Sequence, residues 1–441
     1  MGGQAAGRNR SGGLIDMRHT LIKSATVISM DAGIGDLSAG DVLVEDGRIA
    51  EVRPGIDLGS GATETEIVDG QGRIVIPGLI NAHMHTWQTA LRGYAANWTL
   101  LEYFRRMHAG LATVFRPEDI YIATLVGALN QINCGATTLV DWCHNNPTPE
   151  HTDAAVRGLI ESGIRAAFFH GSPKPEPKPG EPHFSEIPHP RHEVERLLAG
   201  PLADRNGLVT PGLAILGPHY STLDVAMHDF RLAREFNLIA SMHQGGGPAK
   251  TPGGWEKLIE AGLVGPRVNI VHGNDLPDDL LQRLVDLESA ISGDMFTVAR
   301  MALAAQRALD NAAERISSGG IPPTSTVPAS EALDWITTRG AAMLGMADRI
   351  GSLAPGKQAD IAVMSLGPLA MWPVHDAVAS LVMQGSGARV RDVMVAGRFR
   401  KRDGRLLQSD LGEIRAKLSA SGERILGRLN VPSISRQIAV Q

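Results

Sequence analysis

The chain has 441 residues, 43% of them hydrophobic and 20% charged, with a formal net charge of -5. That size calls for a large domain plus a smaller one, with core to spare. The charge leaves no basic footprint for nucleic acid, and no apolar run reaches transmembrane length, so neither nucleic acid nor a membrane is an expected partner.

Residues 1–17 are polar and Gly-rich, lack the apolar core of a secretory signal, and read as a flexible tail. Residues 18–75 read as short strands: "TLIKSATVIS", "DVLVEDGRIAEVRP" and "TEIVDGQGRIVIPG" are rich in Val and Ile and broken by Asp-Gly and Gly turns. Over residues 76–350 the texture changes. Short apolar runs such as "GATTLVDW", "GIRAAFFHG", "LIASMHQ" and "RVNIVHGND" alternate with amphipathic helical stretches. Such alternation predicts a parallel sheet covered by helices. Residues 351–410 return to strands and Gly turns, so a small β-domain is split across both chain ends. Residues 411–441 read as a C-terminal helix or tail. "SPKPEPKPGEPHFSEIPHPRHE" (172–193) is a Pro-rich surface loop, with a lid over a site as the functional alternative. Cys134 and Cys143 are too few for a disulfide framework and fit a reducing, cytoplasmic setting.

The chemistry begins at "PGLINAHMHTWQTALRG" (77–93). Side chains alternate along a strand, so His83 and His85 point the same way. Two imidazoles so placed can chelate one Zn2+ with bonds of about 2.0–2.1 Å. The pair alone is weak, since satisfied or surface histidines explain most such spacings. The other strand ends strengthen it. His243 ends "LIASMH" and His272 ends "VNIVH", 29 residues apart, which fits one strand-helix-strand unit. α/β barrels place their sites at the carboxyl ends of strands.

The segments "VIPGLINAHMHTWQTALRG", "HGNDLPDDLL", "SGDMF" and "ALDWITTRGAAMLGMADRIGSLAPGKQADIAVM" resemble the amidohydrolase superfamily, in the branch of cytosine deaminases and triazine hydrolases. The resemblance runs from residue 18 to about residue 410. It implies an α/β fold: a (β/α)8 TIM-like barrel with a small β-sandwich domain formed from both chain ends. It implies one divalent metal per chain, Zn2+ or Fe2+, held by His83, His85 and His243. His272 would sit beside the metal-bound water, and an aspartate of the eighth barrel strand would complete the ligands and act as base. The implied reaction is hydrolysis of a C–N bond, a deamination, in a cyclic amidine or N-heterocycle through a metal-activated hydroxide. Dechlorination or dealkylamination of a triazine-like ring, cyclic amide opening, and a catalytically impaired homologue are the rivals. The expected assembly is a homo-oligomer, and the partner a small heterocyclic substrate.

Two departures stand out. Where many deaminases of this branch carry a glutamate three residues after the fifth-strand histidine, "HQGGG" places Gly246. And between His272 and "SGDMF" there are too few residues for two strand-helix units, each roughly 30 residues long. The simplest account is a missing segment around barrel strands seven and eight, spliced at Val285-Asp286. Asp286 is then the candidate fifth ligand and base, with Asp294 and Asp275 as alternatives. Gln88, His144, His219 and Gln244 are candidate substrate contacts, each with a packing or loop role equally open.

Overall fold

The computed structural model describes residues 19–59, 65–273, 276–277, 280 and 295–428. Five strands open the chain: β1 (His19–Ile28), β2 (Asp36–Glu45), β3 (Arg48–Arg53), β4 (Thr65–Asp69) and β5 (Arg73–Pro77). Six more follow: β6 (Leu79–Met84), β7 (Ala136–Cys143), β8 (Arg165–Gly171), β9 (Val209–Ala214), β10 (Ala240–Gln244) and β11 (Val268–His272). The last four are β12 (Ile361–Ser365), β13 (Val390–Val395), β14 (Arg398–Arg402) and β15 (Arg405–Leu406).

The first and last groups share one nine-stranded sheet, in the order β15-β14-β13-β12-β5-β1-β2-β3, with β4 alongside β1. Its seam is the antiparallel pairing of β5 with β12, where Val75 faces Val363 and Ile76 faces Ala362. Period-two alternation sends the side chains of this seam into two different cores. Val75, Ile361 and Val363 join Ile22, Val27 and Val42 in the sheet's own core. Ile74, Ile76, Ala362 and Met364 face the other way, into the core shared with the barrel helices.

β6 to β11 form the second sheet, all parallel and paired in sequence order, as a barrel wall requires. Ile80 and Ala82, Val140 and Trp142, and Ala167 and Phe169 alternate along their strands and meet in one interior cluster. The helix Thr338–Met343 adds Ala341 and Met343 to that interior. The α/β class expected from the sequence, a parallel barrel sheet beside a separate sheet from both chain ends, is the class observed. Six barrel strands lie among the described residues. The proposed splice, with Asp286, Asp294 and Asp275, lies outside them.

Three features lock the two sheets together. Only Gly78 separates β5 from β6, and a Cβ there would lie 2.1 Å from the Thr137 side chain, so the close approach needs glycine. Arg165, at the base of β8, donates from Nε to Asp360 Oδ2 at 2.7 Å and from Nη2 to Asp360 Oδ1 at 3.1 Å. Both side chains are almost fully buried, 2% and 3% exposed. The helix Leu411–Gly427 clasps the barrel helix Pro117–Asn133: Ser421 donates to Asp119 at 2.7 Å, and Arg424 pairs with the same carboxylate. No helix among the described residues is long and apolar enough to cross a membrane.

Candidate metal centre and active site

The carboxyl ends of β6, β10 and β11 carry four of the histidines expected at the site. One ligand atom each from His83, His85 and His243 lies within 4.8 Å of the others. The ring of His272 stands 5.5 Å from that of His243 and 6.3 Å from that of His83, measured between centres. His272 has a φ of +76°, a left-handed conformation that bends the chain sharply as β11 ends.

Each ring is fixed by its strand and its neighbours. His85 Nδ1 lies 2.6 Å from the Trp142 carbonyl oxygen. Nδ1–H donates a hydrogen bond to that carbonyl, which leaves the Nε2 lone pair free for a metal. Trp142 is fully buried beneath the rings, its centre 4.4 Å from His243 and 5.6 Å from His85, and it donates from Nε1 to Ser241 Oγ at 3.1 Å. Asp141, on the same strand, accepts from the Thr86 backbone at 3.0 Å and from its hydroxyl at 2.7 Å, so it pins the chain just after His85.

The protonation states suit ligation. Burial, reinforced by the neighbouring histidines, holds His83 and His243 well below the ordinary imidazole value. Burial takes His85 down to about 4, against the opposing pull of the Trp142 carbonyl, and burial also lowers His272. Neutral imidazole is the form that binds metal. The geometry supports the same use. His83 Nε2 and His243 Nε2 are 3.2 Å apart, while the Nδ1 atoms of both rings are buried with no hydrogen-bond partner. A tetrahedral ion with bonds of about 2.0–2.1 Å sets its nitrogens about 3.3–3.4 Å apart. The three residues therefore fit a divalent metal ion.

Above the histidines opens a cavity of about 680 Å³. Its wall includes Leu100, Tyr103, Phe104, His108, His144, Lys174, Tyr220 and the glycines after His243. Of the substrate contacts expected from sequence, His144 lines it, with Nε2 3.2 Å from His108 Nε2. Gln244 lines it too, but its amide is engaged on both sides: Nε2 donates to His219 Nδ1 at 3.0 Å, and Oε1 accepts from Trp255 Nε1 at 2.9 Å. His219 thus stands behind Gln244 rather than on the wall. Gln88 likewise stands behind Tyr103, donating to its hydroxyl at 2.5 Å. Neither Gln88 nor His219 is among the described residues lining the cavity, and each makes a hydrogen bond to a residue that does. Asp286 lies outside the described residues.

Leu100, Tyr103, Phe104, His108, Lys174 and Tyr220 on the wall were not anticipated. Tyr103 and His108 come from an irregular stretch whose sequence carries no periodic signal. Lys174 comes from the Pro-rich segment, where a lysine among charges and prolines reads as surface. Gly246, in place of the branch's glutamate, has a φ of +95°, and a Cβ there would lie 2.4 Å from Leu100 Cδ2.

A barrel wall of six described parallel strands, with neutral histidines converging at their carboxyl ends, defines a metal-dependent hydrolase of the α/β-barrel class. The amidohydrolase family pattern matches residues 74–262 and 278–400, and the chain belongs to that family. A 5'-deoxyadenosine deaminase of Methanosarcina mazei is 24% identical over 448 residues, covering 94% of this chain and all of the relative. An 8-oxoguanine deaminase of Pseudomonas aeruginosa is 28% identical over 473 residues, covering 93% of this chain and all of the relative. Among solved structures, a triazine hydrolase of Arthrobacter aurescens superposes with a TM-score of 0.76 at 21% identity, over 92% of this chain and 99% of that one. An adenosine deaminase of Xanthomonas campestris with bound zinc gives 0.74 at 20% identity, over 92% and 98%. The chain is a hydrolase acting on carbon–nitrogen bonds, and its histidine cluster fits the divalent metal of this family.

Proposed function

We propose that this enzyme deaminates an amino-substituted N-heterocycle, with one zinc ion per chain held by His83, His85 and His243. The observation that carries the reading is the convergence of three neutral imidazoles, with His272 beside them, on the floor of an aromatic-walled cavity of about 680 Å³. That volume suits a small ring system. A zinc ion held by these residues would supply Lewis acidity and would acidify a bound water at neutral pH.

The chain's own residues do the rest. Tyr103, Phe104 and Tyr220 offer faces against which a flat ring stacks. Partial desolvation lowers the pKa of His272, and its ring opens into the cavity at the end of β11, so it can donate one hydrogen bond to oxygen at the carbon under attack. His144 and His108 extend a neutral relay along one wall. Gln244 is fixed by Trp255 and His219, and so presents a set edge to the ring. Asp286 is assigned as the remaining ligand and the proton acceptor, on the strength of its Val-Asp context. The relatives named as deaminases of 5'-deoxyadenosine, of 5-methylthioadenosine and S-adenosylhomocysteine, and of 8-oxoguanine favour an amine leaving group over chloride. The low cysteine count and the absence of a membrane-crossing helix among the described residues favour a cytoplasmic enzyme, and a homo-oligomer is the assembly proposed.

The test is ammonia release from a panel of aminopurines and aminopyrimidines by zinc-supplemented protein, with metal analysis on the same sample. The reading expects metal to be retained and ammonia to be released from at least one ring, with loss of release in Asp286→Asn. Retention of less than about 0.2 metal per chain would overturn it, because a built site of this kind binds its ion tightly.

A further inference from the structure

Lys174 stands apart from every other group around the cavity. It follows β8 in the run Ser172-Pro173-Lys174-Pro175, with a proline on each side. Pro175 confines Lys174 to extended backbone, and Pro173 fixes its own φ, so this stem is stiff although it lies in a long loop. Lys174 is 9% exposed. Its Nζ lies 5.5 Å from the ring centre of Trp142 and 5.5 Å from that of Tyr220. Two aromatic faces steady the ammonium.

What it lacks, among the described residues, is an anion. Among the described residues Lys174 makes no hydrogen bond and no ion pair, and none of the described residues lining the metal cavity is a carboxylate. The histidines there are held neutral. Glu176, Glu181 and Asp229 line a second cavity, of about 350 Å³, which Lys174 also borders. A buried cation without a counter-charge is costly, and proteins rarely keep one without a use. Burial lowers the Lys174 pKa to about 8, which leaves it mostly protonated at neutral pH. Among the described residues the chamber therefore presents one ammonium beside ligands for a divalent cation, and an electron-rich oxygen on what binds there would pair with it.

We propose that Lys174 is a specificity-determining residue: its ammonium binds an oxygen acceptor, a ring carbonyl or ring oxyanion, of the heterocycle, so that the enzyme selects oxo-substituted rings over adenine-like rings that carry none. This deepens the deaminase reading and rests on it for the reaction, but not for the binding.

The experiment separates the two. Urate carries ring oxygens and a negative charge but no amino group, and purine carries neither oxygens nor an amino group, so both bind without turnover. Their affinities for zinc-loaded wild type, Lys174→Met and Lys174→Arg are measured by calorimetric titration. Wild type should prefer urate over purine, and Lys174→Met should lose about 10–100-fold for urate with purine unchanged, the range of a charge-assisted hydrogen bond. Lys174→Arg should restore part of the preference. Equal weakening of both probes in Lys174→Met, with melting temperature and zinc content preserved, would overturn the proposal, as would a wild type that binds purine as tightly as urate. In parallel, ammonia release from 8-oxoguanine and 5'-deoxyadenosine should show the same selectivity. If wild type releases ammonia from neither, yet urate binding depends on Lys174, the deaminase reading fails while the recognition role stands.

Discussion

Breaking the ion pair between Arg165 and Asp360 should uncouple the barrel from the sheet that supports it. Asp360→Asn keeps one oxygen for the Ala396 backbone N–H, which donates to Oδ1 at 2.7 Å. The second oxygen, however, 2.7 Å from Arg165 Nε, becomes or faces an N–H group, and donor meets donor. Arg165 then keeps a full charge in a position only 2% exposed. Removing one partner of a buried pair costs about 3–5 kcal/mol, mostly for the ion left uncompensated. The double variant Arg165→Met/Asp360→Leu should recover most of that loss, since neither charge then remains. Urea unfolding, followed by tryptophan fluorescence and by circular dichroism, gives both values where the two probes share a midpoint. A cost below about 1 kcal/mol for Asp360→Asn, or a double variant as unstable as the sum of the singles, would refute the reasoning.

Other expectations follow from the same structure. His243→Ala should lose metal on dialysis, whereas His272→Ala should retain it and lose ammonia release; loss of metal in both would make His272 a ligand. Asp229 is buried, with a pKa raised from 3.8 to about 6 despite hydrogen bonds from His228 and the His189 backbone. Because its folded pKa is the higher one, its stabilising contribution is complete below about pH 4 and is lost as pH rises through 6, a change of about 3 kcal/mol. Stability of Asp229→Asn should be flatter across that window, as urea midpoints at pH 4, 5, 6 and 7 will show. Gly246→Glu should lower activity rather than restore the branch's pattern, since its left-handed φ costs about 1–2 kcal/mol for a side chain and Leu100 must move; steady-state kinetics with unchanged zinc content checks this.

His83, His85 and His243 could be read from the sequence because each sits at the end of an apolar run whose alternation fixes its direction. The sheet assembled from both chain ends was legible for the same reason: Val75 and Val363 announce strands even though the pairing that joins them is long-range. Lys174 was not legible. Its neighbours in sequence are prolines and charges, and only folding puts it over Trp142 and Tyr220. Gln88 and His219 were legible as site residues but not as supports, since the distinction rests on Tyr103 and Gln244 standing in front of them. Sequence reports the period of a strand well; it does not report which of two polar side chains reaches a cavity first.

The seam between β5 and β12 also sets an order of events during synthesis. Ile76 pairs with Ala362, 286 positions later (362 less 76), and β6 with its two histidines follows β5 across one glycine. At about 5–20 residues per second, a ribosome takes roughly 15–60 s to pass from one partner to the other. Throughout that interval β6 can pair with β7, where Leu79 meets Ala136, but the edge of β5 that β12 will cover stays open. The strands that carry His83, His85 and His243 are therefore complete before the sheet that backs them is closed, and the support of the site is the last part of it to be made.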